Sequence, residues 1–258
     1  MSNFLVAVGT LWQRELVRFY RQPSRLVGAL APPVLFWLLI GSGLGPSFHA
    51  PGGAAGTSYL AYFFPGVVIL ILLFTAIFSE ISIIEDRREG FLQAVLVAPV
   101  PRASIVLGKV LGGTTLAVLQ SALFLALGPA VGLRLASPGA LAVLAAVLFL
   151  LAFGLTALAA AIAWWLDSTQ GFHAIMNLFL IPMWLLAGTL FPVEGAPGWL
   201  GAVMRVNPLT YGVAALRRAL SSAGATGPGF GVSLAVTAAC AVLAFGAAVW
   251  VASRRPTR

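Results

Sequence analysis

Glu85-Asp86-Arg87-Arg88-Glu89-Gly90, the apolar run Phe91 to Val97, then Pro99, Pro101, Arg102 and Gly108-Lys109, form the stretch around which this chain is organised. Long apolar segments lie on both sides of it, and four of the seven acidic residues fall between Glu80 and Glu89. Phe91, Leu92, Val95 and Leu96 share one face of a short helix that Pro99 stops. A charged, proline-stopped helix held between two membrane spans is suited to touching a soluble partner. The alternating charges from Glu85 to Glu89 would set the register of such a contact. The plainer reading is a charged loop that obeys the positive-inside rule.

Composition decides the solvent. Of 258 residues, 60% are hydrophobic and 9% charged, against about 25% charged in an ordinary soluble domain. So much apolar surface needs a bilayer to cover it. Six segments are long enough to cross: Leu26–Gly45, Tyr59–Ile84, Ile105–Leu133, Gly139–Leu166, Phe172–Phe191 and Phe230–Val251, each near or above the ~20 residues a spanning helix needs. The expected fold is an all-α integral membrane protein, a single transmembrane domain over residues 1–258. The first apolar segment starts too late, after an amphipathic stretch, to read as a cleaved signal peptide.

Orientation follows from arginine and lysine placement. With both termini cytoplasmic, Arg14, Arg18, Arg21, Arg25, Arg87, Arg88, Arg102, Lys109, Arg254, Arg255 and Arg258 lie inside, and Arg134, Arg205, Arg217 and Arg218 outside. Eleven of fifteen basic residues on one face put the 85–104 loop in the cytoplasm and the 192–229 connection outside. The net charge of +8 comes from residues scattered between spans. It speaks of topology and anionic lipid headgroups, with no tract for nucleic acid. Trp164 and Trp165, just before the Asp167–Gly171 turn, sit where an aromatic belt is expected.

Two further stretches carry information. In Phe4–Tyr20, Leu5, Val8, Trp12, Leu16 and Phe19 recur at helical spacing, with Arg14, Arg18, Arg21 and Arg25 on the other side. That is a helix lying in the membrane interface, its arginines toward headgroups or cytosol, ended by Pro23. It serves as an anchor or passes force from a partner to the first span. In 192–229, Pro192, Pro197 and Pro208 divide the chain, and Gly198–Val206 and Tyr211–Ser221 each suit a short helix. Both are apolar for a water-exposed loop, which suits segments that dip back into the membrane as a cap or a gate.

Catalytic chemistry is sparse. Gly108-Lys109-Val110 lacks the glycine frame and the hydroxyl of a phosphate loop. The two histidines, His49 and His173, are far apart, and no Cys/His cluster suggests a metal. The single cysteine, Cys240, lies in an apolar run and implies no disulfide framework. Glu80 is the one ionisable residue inside a span. About one turn from the cytoplasmic end, it is expected to snorkel or to pair with an arginine. Among the mild polar span residues, Gln120 and Asn177 are the best candidates for lining a pathway, and Pro182 and Gly188 are expected to bend the fifth span.

The order of these motifs resembles the membrane subunit of type-2 ABC exporters. The resemblance covers nearly the whole chain. It runs through Arg14-Glu15, Arg21-Gln22-Pro23 and Pro32-Pro33. It continues through Glu85 to Gly90, Leu96 to Arg102 and Gly108-Lys109, then Gly188 to Pro192, Pro197-Gly198-Trp199-Leu200, Asn207 to Tyr211, and Arg217. Many relatives carry threonine after the loop glycine and an acidic residue two positions later, where this chain has Phe91 and Gln93. The resemblance implies a permease dimer served by two separate ATPase subunits, which hold the ATP and Mg. This chain itself would bind no cofactor. Glu85, Arg87, Arg88, Glu89, Gly90, Phe91, Leu92, Val95, Leu96, Pro99 and Arg102 would form the coupling element. Trp12, Arg14, Glu15, Arg18, Arg21 and Pro23 would belong to an interface helix beside it. Pro192, Pro197, Trp199, Leu200, Asn207, Pro208, Tyr211 and Arg217 would build an outer gate of re-entrant helices. Drugs, lipids, glycolipids and polysaccharides are the substrate classes implied, and a bacterial inner membrane the home. Competing readings are a stand-alone channel or secondary transporter, an intramembrane lipid enzyme, and a membrane scaffold.

Overall fold

The computed structural model describes residues 2–44, 58–132, 137–220 and 227–254. The described residues form helices and no strand. In order they are α1 (Ser2–Tyr20), α2 (Pro23–Leu44), α3 (Tyr59–Arg88), α4 (Phe91–Val97), α5 (Arg102–Leu125), α6 (Pro138–Trp165), α7 (Thr169–Trp184), α8 (Gly198–Val206), α9 (Pro208–Leu220) and α10 (Phe230–Arg254). A short 3-10 turn, Gly128–Val131, follows α5. Six helices are long and apolar enough to cross a membrane: α2, α3, α5, α6, α7 with its continuation to Thr189, and α10. Gly45, His49, Leu133, Arg134, Ser221, Arg255 and Arg258, named above, lie outside the described residues.

α3 is the axis of the bundle. Its most apolar window is 89% buried, against 22% for α2 and α10. Phe63, Phe64, Val67, Ile69, Ile71 and Leu72 have no exposed surface. α2, α5, α6 and α7 pack around it, and α10 packs on α6.

Lipid tails give apolar side chains no reason to prefer one another, so close approach of small residues carries helix association in a membrane. α5 does this at Gly108 and Gly112, four residues apart. A Cβ on Gly108 would lie 2.8 Å from Leu11 Cβ and 2.9 Å from the Val8 carbonyl oxygen, and one on Gly112 would lie 2.7 Å from Glu15 Cβ. The two glycines form a shelf on which α1 rests. Trp12 Nε1 donates to Thr115 Oγ1 across the same contact at 3.0 Å. Gly108→Ala is therefore expected to push the α1 backbone away from α5 and to destabilise by roughly 1–3 kcal/mol, the usual cost of overpacking. A lowered unfolding midpoint in detergent checks this, and an unchanged midpoint would refute the shelf.

The structure corrects the sequence reading at four places. First, α3 runs to Arg88, so Glu85 to Arg88 are its last turn. The connection between α3 and α5 shrinks to Glu89-Gly90, α4 and four residues. Gly90 sits at φ 80°, a left-handed conformation that glycine adopts without a Cβ penalty. It turns the chain from α3 into α4. Second, α1 directs Arg14 and Arg18 inward, onto carboxylates of α3, and leaves Leu5, Val6 and Tyr20 exposed. An ion pair with a buried acid outweighs the headgroup contact that the periodicity suggested. Third, Glu80 neither snorkels nor pairs with an arginine. It is 1% exposed, two turns in from the end of α3. Fourth, the apolar tail of the third segment ends as a helix at Leu125, where Gly128 and Pro129 tighten the chain into a 3-10 turn.

The fifth span does bend, as Pro182 and Gly188 suggested. Leu185–Thr189 forms a π turn, and Gly188 breaks it at φ 78°. Backbone groups freed at membrane depth need other partners. Arg217 Nη2 and Tyr62 Oη donate to the Gly188 carbonyl at 2.8 and 3.3 Å. Asn207 Nδ2 reaches the Met183 carbonyl at 2.6 Å, and Tyr59 Oη the Leu190 carbonyl at 3.0 Å.

Candidate functional site

Three helix ends meet at the terminus of α3 that carries Glu85 and Asp86. Arg14 and Arg18, one turn apart on α1, face them because α1 lies along α5, and α5 lies beside α3. Asp86 is fully buried and accepts from three cations. Arg14 grips both carboxylate oxygens, Nη1 to Oδ2 at 3.0 Å and Nη2 to Oδ1 at 2.7 Å. Arg18 Nη1 adds a bond to Oδ1 at 2.6 Å. Lys109 Nζ completes the set at Oδ2 and also donates to Glu15 Oε1 at 2.7 Å and Ser82 Oγ at 3.2 Å. Glu85 accepts from Arg18 and from Arg25 of α2. The cluster thus joins α1, α2, α3 and α5 through charge-assisted bonds, and the forked Arg14–Asp86 pair fixes angle as well as distance. Burial opposes the charge on Arg18, but the carboxylates of Asp86, Glu85 and Glu15 together outweigh it and hold the guanidinium above its ordinary pKa.

Arg14 also connects the cluster to α4, since its guanidinium lies 3.7 Å from the Phe91 ring centroid. On α4 itself the apolar residues turn inward. Leu92 is 1% exposed, and Phe91, Val95 and Leu96 are half-buried against the bundle core. The face left open consists of Ala94, Val97, Ala98 and Pro99, with Val97 86% exposed. Arg87 and Arg88 are committed to the α6–α7 turn. Arg87 pairs with Asp167 at 2.6 Å and donates to the carbonyls of Leu166 and Trp164, and Arg88 donates to the Asp167 carbonyl. Trp164 is buried and Trp165 exposed beside them. Glu89 stands out from the surface and reaches Arg18 at 3.8 Å. Together with Thr10, Gln13, Arg14, Arg21 and Gln22 it lines an open groove of about 610 Å³ along α1. Arg102 starts α5, half-buried, and Pro23 starts α2.

At the other end of the bundle, α8 and α9 fold back against the bent end of α7. Asn207 and Arg217 hold that bend, as described. Arg217 also stacks 4.0 Å over the Tyr62 ring, and Tyr211 Oη bonds to the Arg205 carbonyl. Trp199 is exposed and Leu200 and Pro192 half-buried, while Pro197 and Pro208 begin α8 and α9. Gln120 does not face an opening. It is buried, with Thr75 Oγ1 donating to its Oε1 at 3.3 Å. Asn177 is exposed on α7 beside Leu178 and Phe179.

Asp86 and Lys109 are the residues that sequence reasoning did not place in a site. One signal was available: a lysine inside an apolar run, between glycines that mark a close helix contact. Nothing in the sequence said which carboxylate it would meet.

A helical bundle of six apolar spans, with an amphipathic helix and the short helix α4 clasped to one end and the short helices α8 and α9 folded back at the other, defines a multi-pass membrane protein. Comparison with known proteins makes the assignment specific. The ABC-2 type transporter family matches residues 6–220, and the chain belongs to that family. It is similar to a putative transport permease, ycf38, of Cyanophora paradoxa, 27% identical over 83% of this chain and 74% of that protein. It is similar to the daunorubicin resistance ABC transporter permease protein DrrB1 of Streptomyces coeruleorubidus, 25% identical over 80% and 72%. It also matches the inner membrane transport permease YadH of Escherichia coli, 26% identical over 84% of each. The chain is accordingly a membrane-embedded transport subunit.

Proposed function

We propose that this chain is the permease half of an ATP-driven exporter, two copies of which work with two copies of a separate ATPase that carries the ATP and Mg. The observation that supports this most directly is the α1–α3–α4–α5 assembly. One side of α4 is locked into the bundle while Ala94, Val97, Ala98 and Pro99 stand free, and Arg14 ties α4 to α1. A push on that free face would move the end of the central helix α3 and the groove-forming α1 together. Both termini and α4 then lie in the cytoplasm of a bacterial inner membrane, and α8–α9 form the outer gate. Asn177, Leu178 and Phe179 on the open face of α7 face the second permease. The substrate is an amphipathic drug, a lipid-linked molecule or a polysaccharide. The DrrB1 relative, a daunorubicin resistance permease by name, fits the first class.

The test is affinity purification of the tagged chain from its native membrane in mild detergent. A stoichiometric ATPase subunit is expected to accompany it. If none does under several mild extraction conditions, a stand-alone transporter or channel becomes the better reading.

A further inference from the structure

Glu80 belongs neither to the open face of α4 nor to the salt-bridge cluster, yet it is a carboxyl group with 1% exposure inside the central helix. Its Oε1 lies 3.5 Å from Ser79 Oγ, and its Oε2 has no hydrogen-bond partner among the described residues. Among those residues, no cation stands within ion-pair distance of it. It points at Gly113 of α5. A Cβ at Gly113 would be 2.9 Å from Glu80 Oε1, 2.5 Å from Ser79 Oγ and 2.7 Å from Thr156 Cγ2 of α6. Gly113 is one helical turn from Lys109. Ser82, to which Lys109 donates, is two residues from Glu80. The carboxyl therefore lies one turn along the α3–α5 contact from a lysine whose ammonium is engaged elsewhere, by Asp86 and Ser82 of α3 and Glu15 of α1.

Those two partners differ in kind. Asp86 is on the same helix as Glu80 and cannot leave it. Glu15 is on α1, which crosses no membrane and rests on a shelf of two glycines. An ionised carboxylate with an unpartnered oxygen in a low-dielectric interior costs several kcal/mol, and protonation removes most of that cost. We propose that Glu80 is a proton-carrying neutral acid in this arrangement and the alternative partner of Lys109. When α1 shifts and withdraws Glu15, the ammonium turns to Glu80. The Glu80 O–H bond breaks, its proton leaves to water entering where α1 has moved, and the carboxylate pairs with Lys109. One negative charge leaves the neighbourhood of Lys109 and one appears, so the local charge balance is kept without an oxidant or reductant. The charged groups facing Glu80 are Glu15 from α1, Lys109 from α5 and, further along its own helix, Asp86. α6 contributes only the uncharged Thr156. In the exporter this exchange rests on the reading that an ATPase moves α1.

The experiment is infrared spectroscopy of the purified chain, read at the C=O stretch of a protonated carboxylic acid. The wild-type chain is expected to show a band that Glu80→Gln loses. Glu15→Gln, which keeps the side-chain volume, is expected to lose the band too, because Lys109 then draws the proton off Glu80. Glu15→Gln with Lys109→Met is expected to regain it. Gly108→Ala, which displaces α1 without touching a charge, should weaken it and serves if Glu15→Gln does not fold. No Glu80 band in the wild type overturns the neutral acid, and a band unmoved in Glu15→Gln or Gly108→Ala overturns the exchange. Neither the ATPase nor a substrate is present in this measurement, so its failure is separable from failure of the exporter reading, which co-purification decides.

Discussion

Asp86→Ala is expected to destabilise this protein by roughly 3–5 kcal/mol, the cost of breaking a buried ion pair by removing one partner. The reason is local. Among the described residues, Asp86 is the one carboxylate that Arg14, Arg18 and Lys109 all share, and it is fully buried. Without it Lys109, itself 1% exposed, keeps Glu15 as its carboxylate partner, and Arg14 is left with a 3.5 Å contact to the same Glu15. The gain from each pair is offset by desolvation, so the cluster contributes modest net stability while intact and a large penalty when halved. In thermal unfolding the midpoint should drop by on the order of 10 °C. α1 should become accessible to protease before the spans do, because α1 is held by this cluster and by the glycine shelf. A midpoint within a degree or two of wild type would mean that the cluster is hydrated and weak. Asp86→Asn, which keeps the shape and two hydrogen-bonding atoms, should fall between the two.

The fold was legible wherever the physics is one-dimensional. Bilayer thickness sets span length, so the apolar segments located six helices, most ends to within a few residues and the third overshooting the end of α5 at Leu125. α8 begins and ends where its prolines and apolar content implied, at Gly198 and Val206, whereas α2 and α9 begin at Pro23 and Pro208, ahead of the Leu26 and Tyr211 that the apolar pattern gave. Pairing in three dimensions was not legible. Glu85 and Asp86 read as the start of a loop because they are charged, yet they extend α3 because Arg14, Arg18 and Arg25 neutralise them from two other helices. The arginines of α1 read as facing headgroups because periodicity gives a face without saying what lies opposite it. Gln120, chosen for its polarity, turns out to satisfy Thr75 inside the bundle. In each instance the residue type announced an interaction and only the packing named the partner. The inward turn of Leu92 belongs to the same class, since an apolar face on a short helix fits the chain's own bundle as well as it fits another protein.

That last distinction yields the second large effect, at the proposed ATPase contact. Val97→Asp is expected to weaken ATPase binding by at least about 30-fold, the effect of a 2 kcal/mol hot spot, while the permease itself unfolds at the wild-type temperature. Val97 is 86% exposed at the end of α4 and touches little in its own chain, so a charge there acts almost wholly on whatever packs over it. An acidic residue at a helix C-terminus also opposes the helix dipole, by about 0.3–1 kcal/mol. Val97→Arg removes that ambiguity: it suits the dipole but brings a charge of the other sign into the same contact. Loss of the ATPase in both variants assigns the effect to burial of a charge at the docking surface. Leu92→Asp should also lose the ATPase, for a different reason. It drives a charge into a residue buried against the α3 end, so it should lower the unfolding midpoint of the isolated permease, where the Val97 variants do not. Co-purification and thermal unfolding of the three variants side by side separate a contact surface from its foundation. Full retention of the ATPase and of export in Val97→Asp and Val97→Arg would remove α4 from the docking surface and return the charged turn of Arg87, Arg88 and Asp167 as the segment to examine.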